Sequence, residues 1–261
     1  MKVAVCGKFI PDPNLTVGVD LDSKRLVRDP SQSILDPGDE FGIEAALKLV
    51  EQHGGEVVVV SMGPEAADAA IRRAMAMGVE RAILVTDPAL EGSDALTTAK
   101  VLSKVVASES PDVVICATES TDAYTGMVPG AMAAMLDMPQ LTFVRSMEID
   151  GTTITAQRDY ENGYQTVKAE LPVLVTVTAS IAEPRYPSFK GMMQAKKKPI
   201  DTRDVAAVGL SPGEAGEQGA RERVVTLSKV EIEKQTRMIE DDGSGDSVDE
   251  IIAYLKQVQA I

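Results

Sequence analysis

An α/β fold built on a parallel sheet with helices on both faces is the class this sequence predicts, and three observations lead there. Apolar, β-branched runs alternate with amphipathic helical runs through the first two-thirds of the 261 residues. Those runs lack an apolar–polar alternation, so they suit strands buried on both sides, the condition inside a parallel sheet. A hydrophobic fraction of 44% is enough for a full core at this length, and one domain with an appendage is expected.

The elements follow in order. Strands are predicted over 3–6, 57–62, 82–85 and 113–116, and helices over 41–52, 65–77, 94–107 and 130–136. Asp39 precedes the first helix as a cap, Pro64 opens the second and Ser93 precedes the third, while Gly78 closes the second in AMAMGVE. From Thr142 the period shortens. Turns at Asp150-Gly151 and Asn162-Gly163 separate strand-like runs, the signature of β-hairpins. Beyond Asp201 the text becomes rich in Gly and Glu and then acidic (IEDDGSGDSVDE), ahead of a final helix at about 248–259. The expected division is therefore an α/β domain over 1–200 and a C-terminal arm over 201–261 that packs on another chain.

Composition excludes several functions. A net charge of −14 and 3% aromatic residues, with no Trp, leave neither the basic face nor the stacking platforms that nucleic acid requires. The apolar runs are too short to span a bilayer, and the first residues show no charged-then-apolar processing pattern, so a cytoplasmic setting is expected. Cys6 and Cys116 lack metal-ligand spacing and read as buried, reduced thiols; no metal is expected. The single histidine, His53 in EQHGGE, reads as an exposed helix end, which removes histidine-dependent hydrolysis and zinc chemistry. Asp159 and Glu161 read as solvated hairpin residues, and Arg72 and Arg73 as surface charges. No catalytic residue is expected.

A ligand in an open parallel sheet sits at the carboxyl ends of the strands, where the strand order reverses. Four segments reach that edge: Cys6-Gly7-Lys8, the run Asp36-Pro37-Gly38-Asp39, residues 61–64 with Met62, and the loop ATESTDAYTGMVPG over 117–130. In the last, Thr125 offers a hydroxyl and Gly126 permits close approach before a helix start, which suits a phosphate. Such loops also serve helix capping alone, and residue types do not separate the two. GxGxxG, GxxxxGK[ST] and an SGGxDS-like loop are all absent, so nothing points to ATP cleavage.

One cassette runs against the acidic balance. EPRYPSFKGMMQAKKKP, residues 183–199, carries Arg185, Lys190, Lys196, Lys197 and Lys198 against the single acid Glu183, with Phe189, Met192 and Met193 between them. The residues alone allow a solvated loop with inward apolar side chains or a docking surface.

Four stretches settle the choice by resemblance. VAVCGKFIPD, DPGDEFGIEAALKL, MGPEAADAAIRRAMAMGVERAILV, and the pair QRDYENGYQTVKAELPVLVTV with EPRYPSFKGMMQAKKKPI are similar, over essentially the whole chain, to the β (small) subunit of electron-transfer flavoproteins. Arg158, Asp159, Glu161, Gly163, Gln165, Leu171, Pro172 and Thr176 meet the family pattern; Asn162 departs from it in a turn. The resemblance implies a Rossmann-like, adenine-nucleotide-hydrolase-like fold. It implies AMP bound by this chain, FAD lodged mainly in a large (α) subunit, and 183–199 as the segment that docks onto acyl-CoA-type and other flavin dehydrogenases. Electrons then leave to a quinone oxidoreductase. The nucleotide positions that carry over are Cys6, Asp36, Pro37, Gly38, Asp39, Met62, Asp122, Thr125, Gly126, Met127 and Val128; the docking positions are Arg185, Phe189, Lys190, Met192 and Met193. Ala123-Tyr124 and Met127 stand where many relatives carry polar groups, which shifts phosphate binding toward backbone donors. The run VDLDSKRLVRDPSQSILDPGD resembles electron-bifurcating members, which bind a second FAD in place of AMP. A free-standing adenylate sensor resembling universal stress proteins is the remaining alternative, and it leaves the hairpin, cassette and tail unexplained.

Overall fold

The computed structural model describes residues 1–228 and 236–261. The chain divides into a compact unit, Met1–Val225, and a second unit, Thr226–Ile261.

In the first unit β1 (Lys2–Cys6) runs into a short excursion made of β2 (Phe9–Pro11), β3 (Val19–Asp20), β4 (Arg25–Leu26) and β5 (Ser33–Leu35). Helix α1 (Pro37–His53), β6 (Glu56–Met62), α2 (Asp68–Met77), β7 (Arg81–Val85), α3 (Ala95–Glu109) and β8 (Val113–Ala117) follow in strict alternation. Then come α4 (Met127–Leu136), β9 (Gln140–Asp150), β10 (Thr153–Tyr160), β11 (Gly163–Glu170), β12 (Val173–Val177), α5 (Phe189–Ala195), β13 (Asp201–Arg203) and the single turn α6 (Gly216–Gly219). Nine of these strands make one sheet in the order β11-β10-β9-β12-β8-β1-β6-β7-β13. All neighbours are parallel except β9-β10 and β10-β11, which are antiparallel. The α/β class with helices on both faces is therefore what the chain adopts.

Two hydrophobic layers explain the strand sequences. On one face Val3, Val5, Val57 and Val59 meet Ile43, Leu47 and Ile71 of α1 and α2; on the other Ala4, Val58, Val60 and Val114 meet Val101 and Val105 of α3 and Met132 of α4. Alternate residues thus bury in opposite layers, and buried polar strand residues are confined to a few positions near the carboxyl ends, such as Ser61 and Thr176. A fully buried Ile such as Ile43 contributes about 2–3 kcal/mol relative to exposure.

The helix starts differ in detail from the sequence expectation. Asp36, not Asp39, caps α1 through Gly38 N at 2.9 Å, with Pro37 in the first turn; Asp39 lies inside the helix and is buried. Asp94 rather than Ser93 caps α3, accepting from Thr97 N at 2.7 Å. At α1 the proline after Asp36, suited to the first helical position, marks the cap; at α3 two adjacent capping residues, Ser93 and Asp94, compete, and the path of the chain decides between them. Helix α4 starts at Met127, three residues before the expected 130, because Tyr124 and Gly126, both in the left-handed region, turn the chain sharply into it.

The domain boundary also moves. Division at 200/201 was the expectation, whereas β13 adds a ninth strand beside β7, and Val205, Val208, Leu210 and Ala215 bury with the sheet. The few apolar residues after 201 suffice because they fill one existing groove and need no core of their own. The second unit contains α7 (Asp246–Gln257), which exposes Val248, Ile251, Ile252 and Tyr254. Residues 229–235, inside the expected arm, lie outside the described residues.

Candidate functional site

The sheet order places the reversal between β1 and β8: the chain proceeds outward through β6 and β7, then returns to the other side of β1. Above the carboxyl ends of these strands lies an open cleft of 1960 Å³. Cys6, Asp39, Met62, Thr125, Gly126 and Val128, all expected at the site, line it. Among the eleven expected nucleotide positions, the other five do not, and the structure shows what occupies them instead.

Asp36 is fully buried. Its Oδ1 accepts from Gly38 N at 2.9 Å and Thr121 Oγ1 at 2.7 Å, and its Oδ2 accepts from Thr121 N at 2.7 Å, so it ties the start of α1 to the β8–α4 loop. Pro37 is exposed in the first turn of α1. Gly38 faces a separate pocket of 290 Å³ shared with Phe41, Phe143, Val177 and Ala179. Met127 points outward, about half exposed. Asp122 turns its carboxylate to Lys8 Nζ at 2.6 Å and to the Arg28 guanidinium. Burial works to raise the Asp122 pKa, yet Lys8 and Arg28 together hold it below the usual carboxylate range.

Asp39 is the opposite case. Its Oδ2 accepts the Lys8 backbone N–H at 2.7 Å, but burial, then the neighbouring Asp36 charge, pushes its pKa well up. A carboxyl that prefers its proton is a tolerant neighbour for an anion.

At the cleft wall, α4 begins at Gly126 without any side-chain cap. The first amides of a helix lack partners within it and carry the positive end of its dipole. Here Gly126 and Val128 border the cleft with N–H groups, while Pro129, also on the border, has none; α1, α3 and α5 have their first amides satisfied by Asp36, Asp94 and Ser188, and α2, like α4, starts without a side-chain cap. Uncapped amides beside a residue lacking a Cβ form a cradle of the kind a phosphate fills.

Three contributors escaped sequence reasoning. Arg28 reaches Asp122 across 94 positions, Thr121 holds Asp36 across 85, and the wall opposite α4 comes from the loop around Asp94 and the strap Arg221-Glu222-Arg223. Asp94 Oδ2 accepts the Arg221 N–H at 2.6 Å and the Glu222 N–H at 3.1 Å, which fastens that strap. No local pattern marks any of these; only the positions flanking the strand ends were recoverable.

Residues 183–199, the segment expected to dock, divide likewise. Phe189 is 78% exposed and Tyr186 91%, with Met192, Met193 and Lys190 also outward. Arg185 is different: its Nε and Nη2 donate to Glu44 at 2.7 and 3.0 Å, and Nη1 donates to Glu51 at 2.7 Å. It bolts the cassette to α1 and is no free steering charge. Arg72, expected at the surface, donates to the carbonyls of Ala195 and Lys198 at 2.6 and 3.1 Å, and Arg73 pairs with Glu40 at 2.7 Å. Asp159, expected to be solvated, pairs with Arg145 at 3.2 Å. His53 ends α1 exposed.

The family model described as electron transfer flavoprotein domain matches residues 25–208. The chain belongs to the electron transfer flavoprotein family. Its relatives include the electron transfer flavoprotein subunit beta of Thermoanaerobacterium thermosaccharolyticum, 37% identical over 235 residues that cover 90% of each chain. That of Mycobacterium leprae is 36% identical over 236 residues, 88% of each chain. That of Megasphaera elsdenii is 33% identical over 232 residues, 86% of each. The electron transfer flavoprotein match runs past position 200 and includes β13. No helix among the described residues is long and apolar enough to cross a membrane.

Proposed function

We propose that this chain is the small half of a two-chain electron carrier. It holds AMP in the cleft at the β1/β8 reversal and helps enclose an FAD carried mainly by the large (α) subunit. Electrons arrive from acyl-CoA-type and other flavin dehydrogenases and leave to a quinone oxidoreductase. The observation that carries the nucleotide reading is the uncapped start of α4, open to the cleft beside Gly126. Thr125 adds a hydroxyl, and Lys8 and Arg28 stand within reach of the same loop, on Asp122. Supporting the flavin reading, the smaller pocket between Phe41 and Phe143 is apolar and open, which suits the edge of a flat ring system.

Electron transfer asks of this chain only that cofactors be held close. Docking falls to Phe189, a compact apolar anchor, with Lys190, Lys196 and Lys197 steering the encounter. The exposed apolar side of α7 is the surface we assign to contact with the large subunit.

A second reading rests on size. Ligand pockets commonly measure about 300–1,000 Å³, and the cleft, at 1960 Å³, extends past the Asp94 loop to Val224. That length favours a dinucleotide, a second FAD in an electron-bifurcating complex.

Release and quantification of the nucleotides from the purified two-chain complex tests both. One FAD and one AMP per complex supports the simple carrier, two FAD supports bifurcation, and a colourless single-chain protein refutes the carrier altogether. Phe189→Ala should slow electron transfer from dehydrogenases without altering flavin content; an unchanged rate would reject the anchor.

A further inference from the structure

Cys6 and Cys116 were expected to be buried, reduced thiols, far apart in sequence; Cys116 is buried, but Cys6, at the open end of its strand, is only partly so. The register of the central strands sets them side by side: Val3, Ala4 and Val5 of β1 face Val113, Val114 and Ile115 of β8, and the next residue on each strand is a cysteine. Both side chains belong to the layer that contains Ala4 and Val114, so they leave the sheet on the same side. Adjacent strands lie about 4.8 Å apart, within the roughly 4.4–6.8 Å between α-carbons that a disulfide accepts. Both residues line the cleft floor; Cys116 is buried and Cys6 partly accessible.

We propose that Cys6 and Cys116 form a reversible dithiol–disulfide couple beneath the ligand cleft, with hydrogen peroxide as oxidant. The Cys6 thiolate attacks one peroxide oxygen and breaks the O–O bond. Cys6 becomes a sulfenic acid, and the departing hydroxide takes up a proton as the first water. The Cys116 sulfur then attacks the Cys6 sulfur, forming S–S and breaking S–O; the expelled hydroxide leaves with the Cys116 proton as the second water. Two thiols lose two electrons in total and one peroxide gains them. Two equivalents of a small thiol reverse the change.

The order of events follows from access. Cys6 is the thiol that solvent reaches, so it is oxidised first, and buried Cys116 on the neighbouring strand is the thiol placed to attack it second; the hydrogen bond between the two thiols, with burial, pushes the Cys116 pKa well up, which makes that second step the slower one. Neighbouring parallel strands hold the β-carbons somewhat further apart than a relaxed disulfide prefers, and a strained bond of this kind is easily reduced again. The oxidant also has a source in the family's own chemistry: reduced flavin meeting dioxygen yields hydrogen peroxide.

The test uses the full chain in its complex. After brief peroxide treatment and blocking of free thiols with N-ethylmaleimide, peptide mass spectrometry should show Cys6 joined to Cys116, with both thiols lost together and both restored by dithiothreitol. A stable sulfinic acid on Cys6 with Cys116 still free would overturn the proposal. Cys6→Ala or Cys116→Ala should abolish the cross-link. Phenylarsine oxide on the unaltered protein gives a reading independent of how either variant folds. One arsenic should consume both thiols in the native state, and failure to bind until the chain is unfolded would refute the pairing. Saturating AMP should slow peroxide cross-linking several-fold, a step that rests on the nucleotide proposal. Cross-linking that is unaffected by AMP leaves the couple standing and removes the nucleotide from this floor.

Discussion

Replacing Arg185 with Ala tests how the segment proposed to dock, 183–199, is held. Glu44, on α1, keeps only 4% of its side chain exposed, and among the described residues Arg185 is its one ion-pair partner. Stranding a buried carboxylate costs about 3–5 kcal/mol when both partners are interior. Here the Arg185 side chain is 35% exposed, and the backbone N–H of residue 185, which donates to Glu44 at 3.1 Å, survives the substitution. The expected loss is accordingly about 2–3 kcal/mol. Each kcal/mol lowers Tm by about 2–4 °C in a unit of this size, so the shift should be about 4–12 °C. Urea unfolding of the single variant and of Arg185→Ala/Glu44→Gln separates stranded charge from lost packing. Neutralising Glu44 should return about 1–2 kcal/mol. A single variant within about 0.5 kcal/mol of the parent, the range of ordinary surface changes, or a double variant no better than the single, would refute the bolt.

Asp39 gives a pH-dependent counterpart. Burial and Asp36 raise its pKa, so the folded chain holds that proton more tightly than the unfolded chain does. The stability this confers is present at low pH and declines as pH rises above about 3.9. Asp39→Asn should therefore raise Tm relative to the parent at pH 7 and leave it unchanged near pH 4; equal shifts at both would contradict the assignment. Gly191→Ala places a Cβ 2.6 Å from the Ala76 carbonyl oxygen, where α5 crosses α2. It should cost about 1–3 kcal/mol and speed amide exchange over 189–195, whereas Phe189→Ala, at an exposed site, should do neither. A chain ending at Val225 should keep the far-UV spectrum and unfolding midpoint of the first unit but fail to assemble with the large subunit. Normal assembly would dismiss the arm.

The alternation of strands and helices was plain in the sequence because burial on both faces leaves runs such as Val57 to Val60 no polar option. Cys6, Met62, Thr125 and Gly126 were recoverable for a related reason: they flank strand ends, and topology alone brings strand ends together. What stayed hidden depends on contacts between distant segments. Asp36 and Asp39 have the same side chain three residues apart, yet one caps and ties loops while the other is interior to α1 and shifted in pKa. Pro37, suited to the first helical position, marks Asp36 as the cap, a signal the expectation passed over; the burial and shifted pKa of Asp39 leave no mark in DPGD. Arg185 was misassigned because a cation among lysines resembles its neighbours until Glu44, 141 positions away, is seen beneath it. The final sheet strand, Asp201–Arg203, is too short for periodicity to register and is recruited by the open flank of β7.

The two rims of the sheet are unequal. At one, β13 is three residues long and its last residue, Arg203, is engaged by Asp201 and Glu109, which leaves little backbone to recruit anything. At the other, β11 offers eight residues, with Tyr164, Gln165 and Thr166 exposed and no strand beyond it among the described residues. An unoccupied ladder of that length invites any extended segment to join it. Growth in one direction only is open to this molecule, so synthesis of the chain without a companion should favour sticky, rim-to-rim aggregates over an orderly monomer.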